Sequence, residues 1–503
     1  MTYTTRLALT VSTLASVGTE VHHQIQELLN RHGQRIDQDI LAFLAKPPSP
    51  ITLLDFEHQL ATRLRELGRE LVESVCNRLE GDDPNALPNH IRFEGEEYRI
   101  VRAKTRQSVD TLFGPITLWR HLYRPVTRDS GERSIIPLGQ ALGVVENTTP
   151  ALAEVALRYL AEAGATQRVV QDRLQAQHGV AIGTERLRTL AEHVSGAMAA
   201  SRQQFQVQRV LEMLGQADRS IGNRKPVLSV GRDGITLREH SNGLFEVAST
   251  ATVTVIDRGG RRLGSVYLAY VPEPGQGQMT QQLTRLIEAV LRGWEGSLPR
   301  LAYVTDAGEN ETQYYDRVLW PMIHPRTGEK LQWQRVVDFY HAMVRVWAMA
   351  GALFGAKTPA ANGWARKMGR LLKEPNGPFR VLHSAAAVRS GRRLSPTDQE
   401  EYRKAYNYLR QRTRWMQYHT YKGQHLPIGS GITEAACKTI FTQRLKLSGM
   451  RWTKAGAQII LDLRVVLLSG IWDEVYRDVL KTYTYRNLRA PEWDADIPMQ
   501  IAA

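Results

Sequence analysis

The sequence predicts a mixed α/β core at residues 226–341 and 426–503, interrupted at 342–425 by a helical insertion and preceded by helical and small β-rich regions. Three observations carry this prediction. After residue 226, apolar runs of strand length alternate with stretches of strong helical periodicity. Upstream, long stretches repeat their apolar residues every three to four positions. Between 91 and 125, apolar and polar residues alternate about a turn.

In chain order, residues 1–90 read as helical. From Leu53, the residues Phe56, Leu60, Leu64, Leu67, Leu71, Val75 and Leu79 recur at spacings of three and four, predicting an amphipathic helix of about eight turns. With fewer than four clean heptads, it fits a helix packed on its own domain slightly better than a dimerising coiled coil. GDDPNALPNH then breaks the helix. In 91–147, IRFEGEEYRIVRAKT and TLFGPITLWRHLYRP alternate around Phe113, Gly114 and Pro115, predicting a hairpin or a three-stranded sheet. Residues 148–225 hold helical stretches at 151–164, 166–179 and 184–199, with Thr184 as N-cap of the third. A glycine-containing break before a helix that exposes Arg186 and Arg188 fits a helix-turn-helix, and a plain three-helix bundle fits the same pattern.

Within 226–341, PVLSVGRDGITL, LFEVASTATVTVID and RLGSVYLAYV read as three strands, and MTQQLTRLIEAVLRGW as a helix. RLAYVTDAGEN is a fourth, buried strand, and LQWQRVVDFYHA a further strand running into a helix near Asp338. Three strands, a helix, a strand, a helix and a strand match the order of a ribonuclease-H-like fold, an antiparallel meander followed by parallel additions. Asp233 is expected at the end of the first strand and Asp306 at the end of the fourth, on strands that neighbour each other in that topology. Each follows an apolar run and precedes a glycine; an Asp there is costly to desolvate unless paired or metal-bound, although a lone one would more simply cap a turn.

A third carboxylate comes from PIGSGITEAACKTIFTQRLKLSGMRW, where Gly429, Ser430 and Gly431 lead into a helix with Glu434 in its first turn. Lys438 follows at i+4 and Arg444 further along. Such a carboxylate beside cations could hold a metal while the cations hold phosphate; a surface Glu–Lys pair is the plainer reading. Asp338 follows Asp306 at a short enough spacing to compete for the third position. Glu434 is preferred for its first-turn place and adjacent cations.

Composition bounds the chemistry. Of 503 residues, 42% are hydrophobic and 23% charged, which supports two to four folded domains. Lys and Arg number 65 against 51 Asp and Glu, a net +14 with pI near 9.7, suited to a polyanionic partner. The two cysteines, Cys76 and Cys437, have no paired spacing, which argues against a disulfide framework or a cysteine zinc site and fits a reducing compartment. The N-terminal MTYTTRLALTVSTLASVG does not read as a signal peptide. The longest uncharged apolar stretch, about Val346–Ala356, is far short of the roughly 18 residues a membrane span needs. No Gly-x4-Gly-Lys-Ser/Thr loop occurs, which argues against a nucleotide-driven motor.

GRDGI, VTDAGE, the run Asp338-Phe339-Tyr340-His341 and GSGITEAACK together resemble bacterial insertion-sequence transposases of the Kra group, more distant relatives of Mutator-type transposases. The resemblance is strong over about 226–470 and looser before it. It implies Asp233, Asp306 and Glu434 as a metal-binding catalytic triad of the DDE type, with Asp338 and His341 as a supporting motif. Any cysteine cluster of relatives in the β-rich segment has no counterpart here. The implied activity is strand cleavage at transposon ends, then attack of the exposed 3′-OH on target DNA. A ribonuclease-H-like nuclease or resolvase without strand transfer, and a domesticated DNA-binding regulator without catalysis, are the competing readings.

Hard carboxylate oxygens imply Mg²⁺, with Mn²⁺ substituting, as two ions about 3.5–4 Å apart. His341 is expected to orient a phosphate or donate a proton, and a structural histidine at that junction is as consistent. The expected partner is double-stranded DNA, both terminal inverted repeats and target. Its contacts are expected at Arg186, Arg188, Arg366, Lys367, Arg370, Arg392, Arg393, Arg410, Arg414, Lys438, Arg444, Lys446 and Arg451. Pairing two ends implies a homodimer or larger assembly, in the cytoplasm at the nucleoid and without membrane association.

Overall fold

The computed structural model describes residues 14–81, 83–93, 96–127, 134–238, 245–447 and 450–482. Residues 1–13, most of the stretch weighed above as a leader, lie outside the described residues. The chain divides into two compact units, one drawn from Met1–Leu160, Ala165–Ala197 and Tyr476–Ala503, the other from Ala161–Gly164 and Met198–Val475.

The first unit begins with helices α1 (Leu14–Leu44) and α2 (Pro50–Arg78). Ser49 caps α2: its hydroxyl accepts from Thr52 N, and Thr52 Oγ1 accepts from Ser49 N. α2 covers the predicted periodic stretch and packs on α1 of its own chain, where Asp39 accepts from Gln59 (2.6 Å) and Arg63 (2.9 Å). The alternating segment forms five short strands: β1 (His90–Phe93), β2 (Glu96–Ile100), β3 (Thr105–Thr111), β4 (Gly114–Arg120) and β5 (Tyr123–Pro125). They make a three-stranded sheet, β1-β2-β5, and a β3-β4 hairpin. Both forms expected from the alternation are therefore present. Helices α3 (Pro150–Ala161), α4 (Gln167–His178) and α5 (Thr184–Arg219) follow. Gly179, at φ +68°, ends α4 in the left-handed conformation a C-cap requires.

Three expectations fail here. Thr184 is the first helical residue rather than the cap, since Leu187 N already bonds Gly183 O. The third helix also runs on to Arg219, several turns beyond its predicted end at 199. The division between units falls inside α5, at 197–198, and not at 225–226.

The second unit is built on a five-stranded sheet: β6 (Val227–Arg238), β7 (Phe245–Ile256), β8 (Arg262–Tyr270), β9 (Arg300–Thr305) and β10 (Trp333–Val337). Its order is β10-β9-β6-β7-β8; β6, β7 and β8 are antiparallel neighbours, whereas β9 pairs parallel to both β6 and β10. Side chains alternate between two cores, as a period of two requires. Leu228, Val230, Leu301 and Tyr303 meet α5 and helix α6 (Gly277–Gly293), whose Met279, Leu283, Leu286, Ile287 and Val290 form one buried stripe. Val227, Ala302, Val304 and Val336 face the other core.

After the short α7 (Glu309–Tyr314), this second core is filled by α8 (Phe339–Phe354), α9 (Pro359–Leu371), α10 (Gly377–Ser390), α11 (Pro396–Arg412) and α12 (Tyr418–Gly423). The segment 342–425 is thus helical. α13 (Gly431–Cys437) continues through a π-helical turn, Lys438–Thr442, and α14 (Lys454–Leu468) and α15 (Trp472–Thr482) close the described chain. No single helix among the described residues is long and apolar enough to cross a membrane.

Candidate active site

Asp233 is not at the end of its strand. β6 runs on to Arg238 against β7, but its parallel pairing with β9 stops at Gly231↔Val304, two residues before Asp233. The paired residues differ by 304 − 231 = 73, and so do Asp306 and Asp233 (306 − 233 = 73). Both acids therefore stand two residues past the last paired position, Asp233 still within β6 and Asp306 just beyond β9, near enough to repel one another. Parity places both on the face that carries Val227, Ala302 and Val304.

Glu434 reaches the same face because β6 has no side chain at Gly231. A Cβ there would stand 1.9 Å from Thr433 Oγ1. That hydroxyl is also 2.8 Å from Thr252 Oγ1 on β7. The start of α13 therefore lies directly on the sheet two residues from Asp233, with Glu434 in its first turn.

Each carboxylate is oriented by nearby donors. Asp233 Oδ1 accepts from Gly234 N (2.8 Å), and its Oδ2 from the Cys437 thiol (3.4 Å). Burial pushes the Asp233 carboxyl above its ordinary value, repulsion from Asp306 and Glu434 adds to that, and the two donors oppose it. Asp306 Oδ1 accepts from Gly308 N at 2.9 Å across a left-handed Ala307 (φ +60°), a conformation a non-glycine residue holds only under constraint. The constraint comes from α11: Tyr408 donates to Asp306 O (2.7 Å) and Arg412 to Ala307 O (3.4 Å).

Asp338 is fully buried and caps α8, its Oδ1 accepting from His341 N at 2.8 Å. Its Oδ2 accepts from Ser430 N and from Ser430 Oγ (2.7 Å). Ser430 Oγ also lies 3.1 Å from Glu434 Oε1, so its single proton serves one carboxylate at a time. The His341 side chain, and then these bonds, hold the Asp338 carboxyl down to about 2 against the effect of burial. His341 Nδ1 is 3.5 Å from Asp338 and 3.6 Å from Glu434, ion-pair contacts rather than hydrogen bonds, and the Asp338 carboxylate raises the imidazole above its ordinary value.

Donor atoms of Asp338, His341 and Glu434 all lie within 4.8 Å of one another, which by distance alone is a metal-sized cluster. Asp338 is a poor ligand, because backbone N–H groups and a hydroxyl already occupy its oxygens. Glu434 is half-exposed and among the described residues accepts only from the shared Ser430 hydroxyl.

The predicted cations divide into two groups. Arg186 binds Asp110, Glu146 O, Asn147 O and Thr148 Oγ1, so its guanidinium is filled by protein partners. Arg392 donates to Leu353 O at the end of α8 and covers Phe354. Arg444 is wholly buried, with its guanidinium 5.1 Å from the Trp452 ring, and burial lowers its pKa to about 10. Arg186 and Arg444 present no open guanidinium to a phosphate, whereas Arg392 stays exposed. Arg188 pairs with Glu185 but stays exposed. Arg366, Lys367, Arg370, Arg393, Arg410, Lys438, Lys446 and Arg451 are exposed, as is Arg414 over Trp415. Lys438 forms no ion pair with Glu434 among the described residues, the π-helical turn beginning at that position.

Sequence reasoning passed over Gly231, Ser430, Cys437 and Tyr408. Only Ser430 left a signal, in its glycine-flanked place before the helix. Compared with known families and curated proteins, the chain matches no family model and no curated sequence.

Proposed function

We propose that this chain is a DDE-type DNA transposase with a ribonuclease-H-like core, using Asp233, Asp306 and Glu434 to cut DNA at transposon ends and join the 3′-OH to target DNA. What supports the reading is the place of Asp233 and Asp306, each two residues past the last parallel pair of β6 and β9, Gly231↔Val304, with α13 seated over Gly231 and Glu434 in its first turn. Three oxygen-donor carboxylates, one of them raised by burial and by the other two, form a site short of positive charge. That donor set fits Mg²⁺ or Mn²⁺. Bound there, divalent cations would make the attacking oxygen more nucleophilic and neutralise charge gathering on the leaving oxygen.

The chain's own residues do the rest. Gly234 N and the Cys437 thiol fix the rotamer of Asp233, and Gly308 N fixes that of Asp306. Asp338 and Ser430 hold the approach to α13 so that Glu434 keeps its place. His341 sets positive charge between two carboxylates and keeps part of its ring exposed toward a phosphate. Water is the nucleophile for end cleavage. The liberated 3′-OH is the nucleophile for joining.

The test uses the full-length chain and DNA carrying the sequences that flank its gene. Asp233→Asn, Asp306→Asn and Glu434→Gln are each expected to lower Mg²⁺-dependent cleavage by roughly 10²–10³ or more while DNA binding persists. Full activity in Glu434→Ala with none in Asp338→Ala would transfer the third position to Asp338. Cleavage of a substrate whose pre-nicked end never joins target would make the protein a nuclease. Binding without cleavage in either Mg²⁺ or Mn²⁺ would make it a regulator.

A further inference from the structure

Glu311 lies shortly past Asp306, in α7, and its surroundings are unusual for a carboxylate. It is only 7% exposed. No described Lys, Arg or His forms an ion pair with it, and its one side-chain hydrogen bond comes from its own backbone N–H. Arg232 attracts it from a distance, but that guanidinium is held by Gln276 Oε1 (2.7 Å) and Thr280 Oγ1 (3.0 Å) and packs over Tyr314. Asp306 repels it, and Asp233 repels it more weakly than Arg232 attracts it.

Its aim is fixed by Gly308. A Cβ on Gly308 would stand 2.4 Å from Glu311 Oε2 and 3.3 Å from Asp306 Oδ1, so both oxygens border the small space that this glycine leaves open. The glycine makes room for two carboxylates over one stretch of backbone. A buried carboxylate with no ion-pair partner is costly, and Asp306 bordering the same space adds to the cost.

We infer that Glu311 is a fourth carboxylate of the divalent-cation site, within reach of an ion held by Asp306 either directly or through a coordinated water. This rests on the proposed cation-binding role of Asp233, Asp306 and Glu434. The competing account is a neutral Glu that keeps its proton and ignores cations.

Saturable Mn²⁺ binding to the full-length chain without DNA, followed by the paramagnetic resonance of free Mn²⁺, separates these accounts. Glu311→Gln keeps the shape and removes the charge. It is expected to weaken Mn²⁺ binding roughly 10–100-fold and to leave the cation-free melting temperature unchanged or raised. Gly308→Ala, which forces the Glu311 carboxylate aside, is expected to weaken binding in the same direction. Mn²⁺ affinity within about twofold of wild type in Glu311→Gln, alongside its loss in Asp306→Asn, would overturn the role of Glu311 and leave the triad standing. An absence of saturable Mn²⁺ binding in the wild-type chain would overturn the triad reading, and this inference with it.

Discussion

At the scale of single residues, the site depends on what is missing from Gly231 as much as on what its acids supply. The 1.9 Å approach of Thr433 Oγ1 to the place of a Cβ means that even alanine must displace α13 or bend β6. Gly231→Ala is expected to destabilise the chain by about 1–3 kcal/mol and to lower cleavage by a larger factor than the stability loss explains. Thr433→Ala removes the closest atom and leaves Thr252 Oγ1 at 2.9 Å and the Cβ of residue 433 at 3.1 Å, so it should restore part of the activity in the double variant. Denaturant unfolding and end cleavage on the four members of that cycle check both statements; additive losses would deny the coupling. Asp233 was legible in the sequence as an acid after an apolar run, but its place in mid-strand was not. Gly234 looks like a turn residue beside it, and only the pairing with β7 carries the strand past it. Glu311 was illegible for a related reason: its burial is made by elements remote in sequence.

At the scale of elements, α9 presents the clearest basic face. Arg366, Lys367 and Arg370 are exposed, while Ala361, Ala365, Met368 and Gly369 are buried on the opposite side. If these cations meet phosphate, replacing all three with Glu lowers DNA affinity uniformly across sequences. It should also reduce the slope of log affinity against log salt by about 3, near 0.9 for each phosphate no longer neutralised. Binding titrations across a salt series, with melting temperature as control, measure it; an unchanged slope would remove α9 from the DNA path. Arg392 in the same insertion is a useful contrast, since its loss should appear in stability instead, through Leu353 O and Phe354. Composition identified the insertion as basic and helical. It could not say which arginines face solvent, because guanidiniums that cap helices or cover aromatic rings have the same sequence spacing as those that do not.

At the scale of the whole molecule, order along the chain was more legible than its boundaries. The five-stranded sheet, the helical insertion and the late helix bearing Glu434 stand where periodicity placed them. The break between units did not, since α5 runs unbroken past Gly196 and through the division at 197–198. Global stability should record the Asp338 clamp. Its carboxyl is lowered from 3.8 to about 2, so its contribution is fully present above pH 3.8 and is lost as pH falls through about 2. The difference amounts to roughly 2 kcal/mol. Asp338→Asn is therefore expected to be less stable than wild type near neutrality and to converge with it as pH approaches 2. Unfolding curves across that range test it, and a gap that stays constant to pH 2 would refute it. Asp233 titrates in the opposite sense, and because both proteins share it, the comparison isolates Asp338.

The seating of Thr433 over Gly231 also has a consequence in time. Glu434 is synthesised long after Asp233 and Asp306, with the whole helical insertion made in between. At about 5–20 residues per second, a ribosome needs on the order of ten seconds to travel from the second acid to the third. Through that interval the sheet can form while α13 is still unmade, so a nascent chain holds the exposed cations of α9 before it holds Glu434. A message truncated inside the insertion would yield a product that carries its basic helices and lacks Glu434.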